Sequence, residues 1–134
     1  MPIEVGMSFT AAAVVDKTNL ASTVGSGSID VFATPMMIAL MESAASACIA
    51  GCLEPGQSSV GTKIDVSHTA ATVAGMKVTA TATVTAVDRR RVDFKVTAHD
   101  DCGEIGSGTH TRFIIDVNKF MEKAQTKNIG QQEV

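Results

Sequence analysis

The sequence predicts an α+β domain in which an antiparallel sheet is wrapped around one central helix. Two stretches carry that prediction. Residues 31–53 hold a single charge, Glu42, among Met36, Met37, Ile38, Leu40, Met41, Ala44, Ala45 and Ile49. A helix that is apolar or small on all sides is one enclosed by the rest of its fold. From Val60 to Asp116 apolar and polar residues alternate with little interruption, the period of strands buried on one face. A chain of 134 residues has room for one domain, positions 1–134, with one modest core.

The elements follow in order. Met7, Phe9, Ala11, Ala13 and Val15 alternate with Ser8, Thr10, Ala12 and Val14 as a first strand. Ser22 to Ser28 is rich in Gly and Ser and reads as a mobile loop, a candidate lid. Thr34-Pro35 then opens the helix, with Thr as N-cap and Pro at the first helical position, and Gly51 or Pro55-Gly56 ends it. Val60, Thr62, Ile64, Val66 and His68 share one face of the next strand, and Gly61, Lys63, Asp65 and Ser67 take the other. Val78 to Ala86 and Val92 to Ala98 make a hairpin turning near Asp88-Arg89-Arg90. A turn at Asp101–Glu104 leads into a strand from Ile105 to Asp116, and Lys119 to Lys127 closes the chain as a short helix. Such a sheet has unpaired edges, and a core this rich in Ala and Gly is thin. Pairing of edges in a homodimer, or in a dimer of dimers, would relieve both.

Composition narrows the function. The net charge is −3, with no Trp, no Tyr and no basic tail, which excludes a nucleic-acid surface of stacking aromatics and clustered cations. Residues 31–53 are long enough to cross a membrane, but Pro35, Glu42, Ser43 and Ser46 interrupt them and both flanks are acidic. Met1-Pro2-Ile3-Glu4 lacks the basic and apolar regions of a secretion signal, so a cytoplasmic protein is expected. Three cysteines are an odd count for a disulfide framework, and Cys48 with Cys52 has no further pair at ligand spacing to complete a metal site. No metal or cofactor is expected.

Glu42 is the first candidate for chemistry. A carboxylate among apolar neighbours needs a partner, a raised pKa or a role, unless it simply points to solvent. Thr34 lies eight residues before it and His68 twenty-six after it, on the apolar side of its strand. Each has a plain structural reading as well, Thr34 as a helix cap and His68 as a satisfied core histidine. Eight helical residues rise about 12 Å, too far for Thr34 and Glu42 to bond directly. His68, a water or a residue from a second subunit has to bridge them. Arg89, Arg90 and Arg91 at a hairpin tip read as solvated, and His99 and His110 carry no motif.

Ala33-Thr34-Pro35 with Glu42, then Val60-Gly61-Thr62, then Val66-Ser67-His68-Thr69-Ala70-Ala71-Thr72 with Gly75, stand at a mutual spacing that resembles the hot dog fold acyl-CoA thioesterases. The likeness runs over roughly residues 5–120 and is nearest the fluoroacetyl-CoA thioesterase-like branch. It implies a hot dog fold and hydrolysis of a small or medium acyl-CoA to free acid and coenzyme A. It also implies Thr34, Glu42 and His68 as catalytic residues, Gly61 as a site of close substrate approach, and Arg112 as a contact for a coenzyme A phosphate. The fluoroacetyl-specific enzyme has aromatic residues before the helix where this chain has Gly25 to Ser28, so selectivity for a fluorinated acyl group is not implied. Two alternatives stay open: a hot dog module that binds acyl-CoA or another ligand without turning it over, and a hot dog hydratase or dehydratase. The hydratases of this fold use a local Asp and His around a Pro, and here Asp30 precedes Pro35 but no histidine follows it locally.

Overall fold

The computed structural model describes residues 1–128. The elements are β1 (Ser8–Val14), α1 (Ala21–Val24), α2 (Thr34–Ala50), β2 (Gln57–His68), β3 (Lys77–Asp88), β4 (Arg91–Asp100), β5 (Gly103–Asp116) and α3 (Val117–Gln125), followed by a 3-10 turn at Thr126–Asn128. The five strands form one sheet in the order β1-β3-β4-β5-β2, antiparallel throughout. β1 and β2 are therefore its edges.

Alternation decides which face is covered. Val78, Ala80, Ala82 and Val84 of β3 and Val92, Phe94, Val96 and Ala98 of β4 are buried against α2, while the intervening Thr and Lys residues face away. Fully burying an aliphatic or Met side chain contributes roughly 1.5–3 kcal/mol, so the three alanines stabilise little themselves. They leave depth for Met37 and Met41, both wholly buried on α2. Gly106 does the same on β5. A Cβ there would lie 2.6 Å from Met37 Sδ, so the helix can pass this close only over glycine.

Four expectations need correction. α2 is not enclosed on all sides: Met37, Met41, Ala44, Ala45, Cys48 and Ile49 are buried, but Ala39, Ser43, Ala47 and Ala50 are exposed along the opposite side. Its N-cap is Ala33, with no side-chain cap, so Thr34 is already inside the first turn. The Ser22–Ser28 segment, exposed throughout, is not irregular from end to end, because its first three residues belong to α1. Leu20 bridges Phe32, the Ala21 amide donates to the Val31 carbonyl at 2.8 Å, and Gly25 closes α1 in the left-handed region with φ 83°. Finally, β2 is bulged at Thr62, since Gly61 pairs with Arg112 and Lys63 with Thr111. The extra residue turns Gly61 onto the inner face, with Ile64, Val66 and His68.

Candidate active site

The chain entering α2 is pinned from two sides. Phe32 donates its amide to the Thr72 carbonyl at 2.8 Å and Ala33 donates to that of Asn19 at 2.9 Å, and both residues are buried. That fixes where Thr34 emerges. His68 is the last residue of β2, and the next two amides, of Thr69 and Ala70, bond the Ile105 carbonyl. Held this way, Thr34 Oγ1 and His68 Nδ1 are 2.7 Å apart.

A hydroxyl bonded to an imidazole nitrogen is the nucleophile–base arrangement of covalent hydrolases. For His68 to take the hydroxyl proton, Nδ1 must be unprotonated and Nε2 must carry the hydrogen. Burial pushes the imidazole below its ordinary pKa, with the Ala70 backbone opposing, which favours that neutral form. Nε2 is buried and has no hydrogen-bond partner among the described residues. The pair lines a cleft of about 270 Å³ walled by Ala21, Ser26, Val31, Phe32, Ala70 and Ala71.

The first turn of α2 offers fewer free donors than a generic helix start. Met36 and Met37 both donate to the Ala33 carbonyl at 3.0 Å, and Pro35 has no N–H. That leaves the Thr34 amide to meet an oxyanion.

Glu42 belongs to a second group, two turns along α2. Its side chain is 43% exposed, so it is not sealed in an apolar site. It lines a cleft of about 230 Å³ with Gly61, Thr62, Lys63, Ile64 and His110. A Cβ on Gly61 would sit 2.8 Å from Glu42 Oε2, so the missing side chain is what admits the carboxylate. Arg112 Nη1 is 4.0 Å from Oε2.

Arg112 does not reach outward. It is 7% exposed, donating from Nε to Ser59 Oγ at 2.8 Å and from Nη2 to the Ser59 carbonyl at 2.9 Å. Burial lowers its pKa and Glu42 opposes the shift. A coenzyme phosphate would have to displace these internal partners, so the phosphate-contact role implied for Arg112 does not fit its placement. Ser59 and His110 join this group without any motif to mark them. The one hint was His110 two residues before Arg112, on the same strand face.

Of the five candidates, the structure brings Thr34 to His68 and Glu42 to Gly61 and Arg112. It does not bring the two groups together within one chain. Among the described residues no group of three or more His, Cys, Asp or Glu side chains is placed to hold a metal ion, and no helix is long and apolar enough to cross a membrane.

A five-stranded antiparallel sheet curled on one helix, with a Thr–His pair at the helix start, defines a hot dog thioesterase. A protein of the thioesterase superfamily from Thermus thermophilus matches the chain with a TM-score of 0.91 at 25% identity, over 99% of this chain and 98% of that one. The chain belongs to the fluoroacetyl-CoA-specific thioesterase family, whose sequence model matches residues 15–118. A fluoroacetyl-CoA thioesterase from Streptantibioticus cattleyicolor is 50% identical over 98 residues, 73% of this chain and 70% of that protein. A solved fluoroacetyl-CoA thioesterase superposes with a TM-score of 0.90 at 41% identity, over 95% of this chain and 98% of the other. The chain is a thioester hydrolase acting on acyl-CoA.

Proposed function

We propose that this thioesterase hydrolyses short to medium acyl-CoA thioesters in the cytoplasm as a homodimer, at sites composed from two subunits. The observation that carries the reading is the 2.7 Å contact between Thr34 Oγ1 and His68 Nδ1, lining a cleft of about 270 Å³. His68 accepts the hydroxyl proton as Thr34 adds to the thioester carbonyl, and the Thr34 amide donates to the oxyanion. The C–S bond breaks, and the proton passes from His68 to the leaving thiolate of coenzyme A. Water, oriented by Glu42, then cleaves the acyl-threonine ester, returning the proton to Thr34 and releasing the acid. A solved variant of the related fluoroacetyl-CoA thioesterase is a complex with fluoroacetate and CoA, which supports an acyl-CoA substrate here.

The dimer supplies what one chain lacks. Gly61, beside Glu42, sits seven residues before His68 on β2, roughly 23 Å along a strand at 3.3 Å per residue. β2 is an unpaired edge. Antiparallel pairing of two copies about a two-fold axis lays the Gly61 end of one against the His68 end of the other. Glu42 of one subunit then approaches the Thr34–His68 pair of its partner, beside the unsatisfied His68 Nε2. Release of free thiol from a panel of acyl-CoA esters tests the reading. Steady release is expected from the parent, with loss of at least about a hundredfold in folded Glu42→Gln. Normal turnover by that variant would remove Glu42 from the mechanism.

A further inference from the structure

Two buried side chains unused by this mechanism, Ser59 and His110, meet at Arg112. His110 is 2% exposed and stacks against Phe94 with ring centroids 6.1 Å apart. Its Nδ1 lies 2.7 Å from the Lys63 carbonyl oxygen, which can only accept, so Nδ1 carries the hydrogen. The neutral ring then has its lone pair on Nε2, and Arg112 Nη1, which can only donate, is 3.2 Å from it. Each end of the ring has one matching partner. Ser59 takes two further donors of the guanidinium, through its hydroxyl and its carbonyl. Bonded on three of its nitrogens, the planar group cannot rotate, and Nη1 is held 4.0 Å from Glu42 Oε2.

We infer that Ser59 and His110 are positioning residues for the hydrolysis, locking Arg112 so that Nη1 steers the Glu42 carboxylate without closing on it. An unrestrained arginine closes on a carboxylate as a short, bidentate pair with N–O distances of about 2.8 Å. Such a pair would occupy the lone pairs that Glu42 needs for water. Held at 4.0 Å, the cation orients the carboxylate and leaves those lone pairs free. Gly61 completes the arrangement, since a Cβ there would also crowd His110 Cε1 at 3.0 Å and Arg112 Nη1 at 3.4 Å. The inference rests on the role proposed for Glu42.

Three variants test it by steady-state kinetics on the full chain. His110→Asn keeps a donor for the Lys63 carbonyl and removes the acceptor for Arg112, whereas His110→Gln places an amide oxygen near the Nε2 position. kcat is expected to fall about tenfold in His110→Asn with KM within about twofold, and to recover to within about threefold of the parent in His110→Gln. Ser59→Ala should lower kcat about threefold and speed solvent exchange of the Arg112 Nε–H, followed by nitrogen NMR. Parental kcat in folded Ser59→Ala and His110→Asn, beside an active parent, would overturn the inference alone. Equal loss in both His110 variants would reduce His110 to packing and also overturn it. If His110→Asn does not fold, Ser59→Ala decides: unchanged kcat and exchange overturn the inference. A parent releasing no thiol would instead reject the hydrolase reading, and this inference with it.

Discussion

Thr34 Oγ1 bonds His68 Nδ1 across the gap between the first turn of α2 and the last residue of β2, at 2.7 Å. The hydroxyl is thereby free of the capping duty its place beside Pro35 suggested, because the N-cap is Ala33. A clean separation of stability from activity follows. Thr34→Ala loses no cap, so its melting temperature should stay within a few degrees of the parent, whereas loss of a true cap costs about 1 kcal/mol. Turnover should fall by at least about a hundredfold in Thr34→Ala and stay within about tenfold in Thr34→Ser, which keeps the hydroxyl. Thermal unfolding and thiol release on the same preparations check this. A stable, fully active Thr34→Ala protein would leave Thr34 with no role in the chemistry.

Gly61 gives a second test, aimed at the other group. A methyl added there meets the carboxylate end of Glu42 at 2.8 Å, the movable tip of a half-exposed side chain rather than backbone. Glu42 can swing away at little cost to folding. It cannot swing away and keep its place. The His110 ring, held at both nitrogens, lies 3.0 Å from the same methyl and must shift as well, so Gly61→Ala should fold with a modest loss of stability and lose about tenfold or more in kcat. Unchanged kcat would show that the position of the carboxylate does not matter.

Much of the fold was legible because its sheet alternates strictly. Val78 to Val84 and Val92 to Ala98 declare their buried face at every second residue, and the helix between strands follows from one long apolar run with Thr34-Pro35 at its start. The spacing of Thr34, Glu42 and His68 marked the family as well. What could not be read is where two-residue periodicity fails. A bulge at Thr62 has no compositional mark, yet it carries Gly61 across to the inner face and so creates the Glu42 cleft. His110 was missed for a related reason. A buried neutral histidine on an apolar face looks, in sequence, like any core residue, and only the β2–β5 register that brings the Lys63 carbonyl across, with Arg112 beside it, gives it partners. The Ser22–Ser28 stretch differs in the opposite direction, since local backbone bonds from Ser22 to Ile29 and from Gly25 and Ser26 to Ala21 build a short helix and its close into residues whose composition reads as loop.

Acid should weaken both activity and stability. Burial holds His68 and His110 below their ordinary pKa of 6.5; for His110, Arg112 adds to the depression while the Lys63 carbonyl and Glu42 oppose it. The folded chain then binds fewer protons at these rings than the unfolded chain does just below that value. Their contribution to stability is complete above about pH 6.5 and is lost progressively as pH falls through it. Activity should hold lower in pH than an ordinary histidine would allow, since His68 stays neutral there, and then fall on a single acid limb. Melting temperatures at about pH 7.5 and pH 5.5 test the first point, and a kcat/KM profile tests the second. Equal melting temperatures, or a rate that rises with acid, would contradict the placement of these rings.

The last prediction concerns whether Thr34 and Glu42 of one chain ever serve the same site. Along α2 they are about 12 Å apart, and the structure places them in separate clefts. If each site draws Thr34 and His68 from one subunit and Glu42 from the other, two dead proteins can repair each other. Thr34→Ala and Glu42→Gln homodimers are each expected to be inactive. A heterodimer of the two has one site with both defects and one with none. Unfolded together and refolded at equal concentration, half the dimers should be mixed, and the mixture should recover about a quarter of parental activity. If Thr34 and Glu42 act within one chain, every site in the mixture carries one defect and nothing is recovered. Sedimentation of the parent at micromolar concentration should show a dimer beforehand. A stable, active monomer there, or a mixture as inactive as its components, would end the shared-site reading while leaving the Thr34–His68 pair to be judged on its own variants.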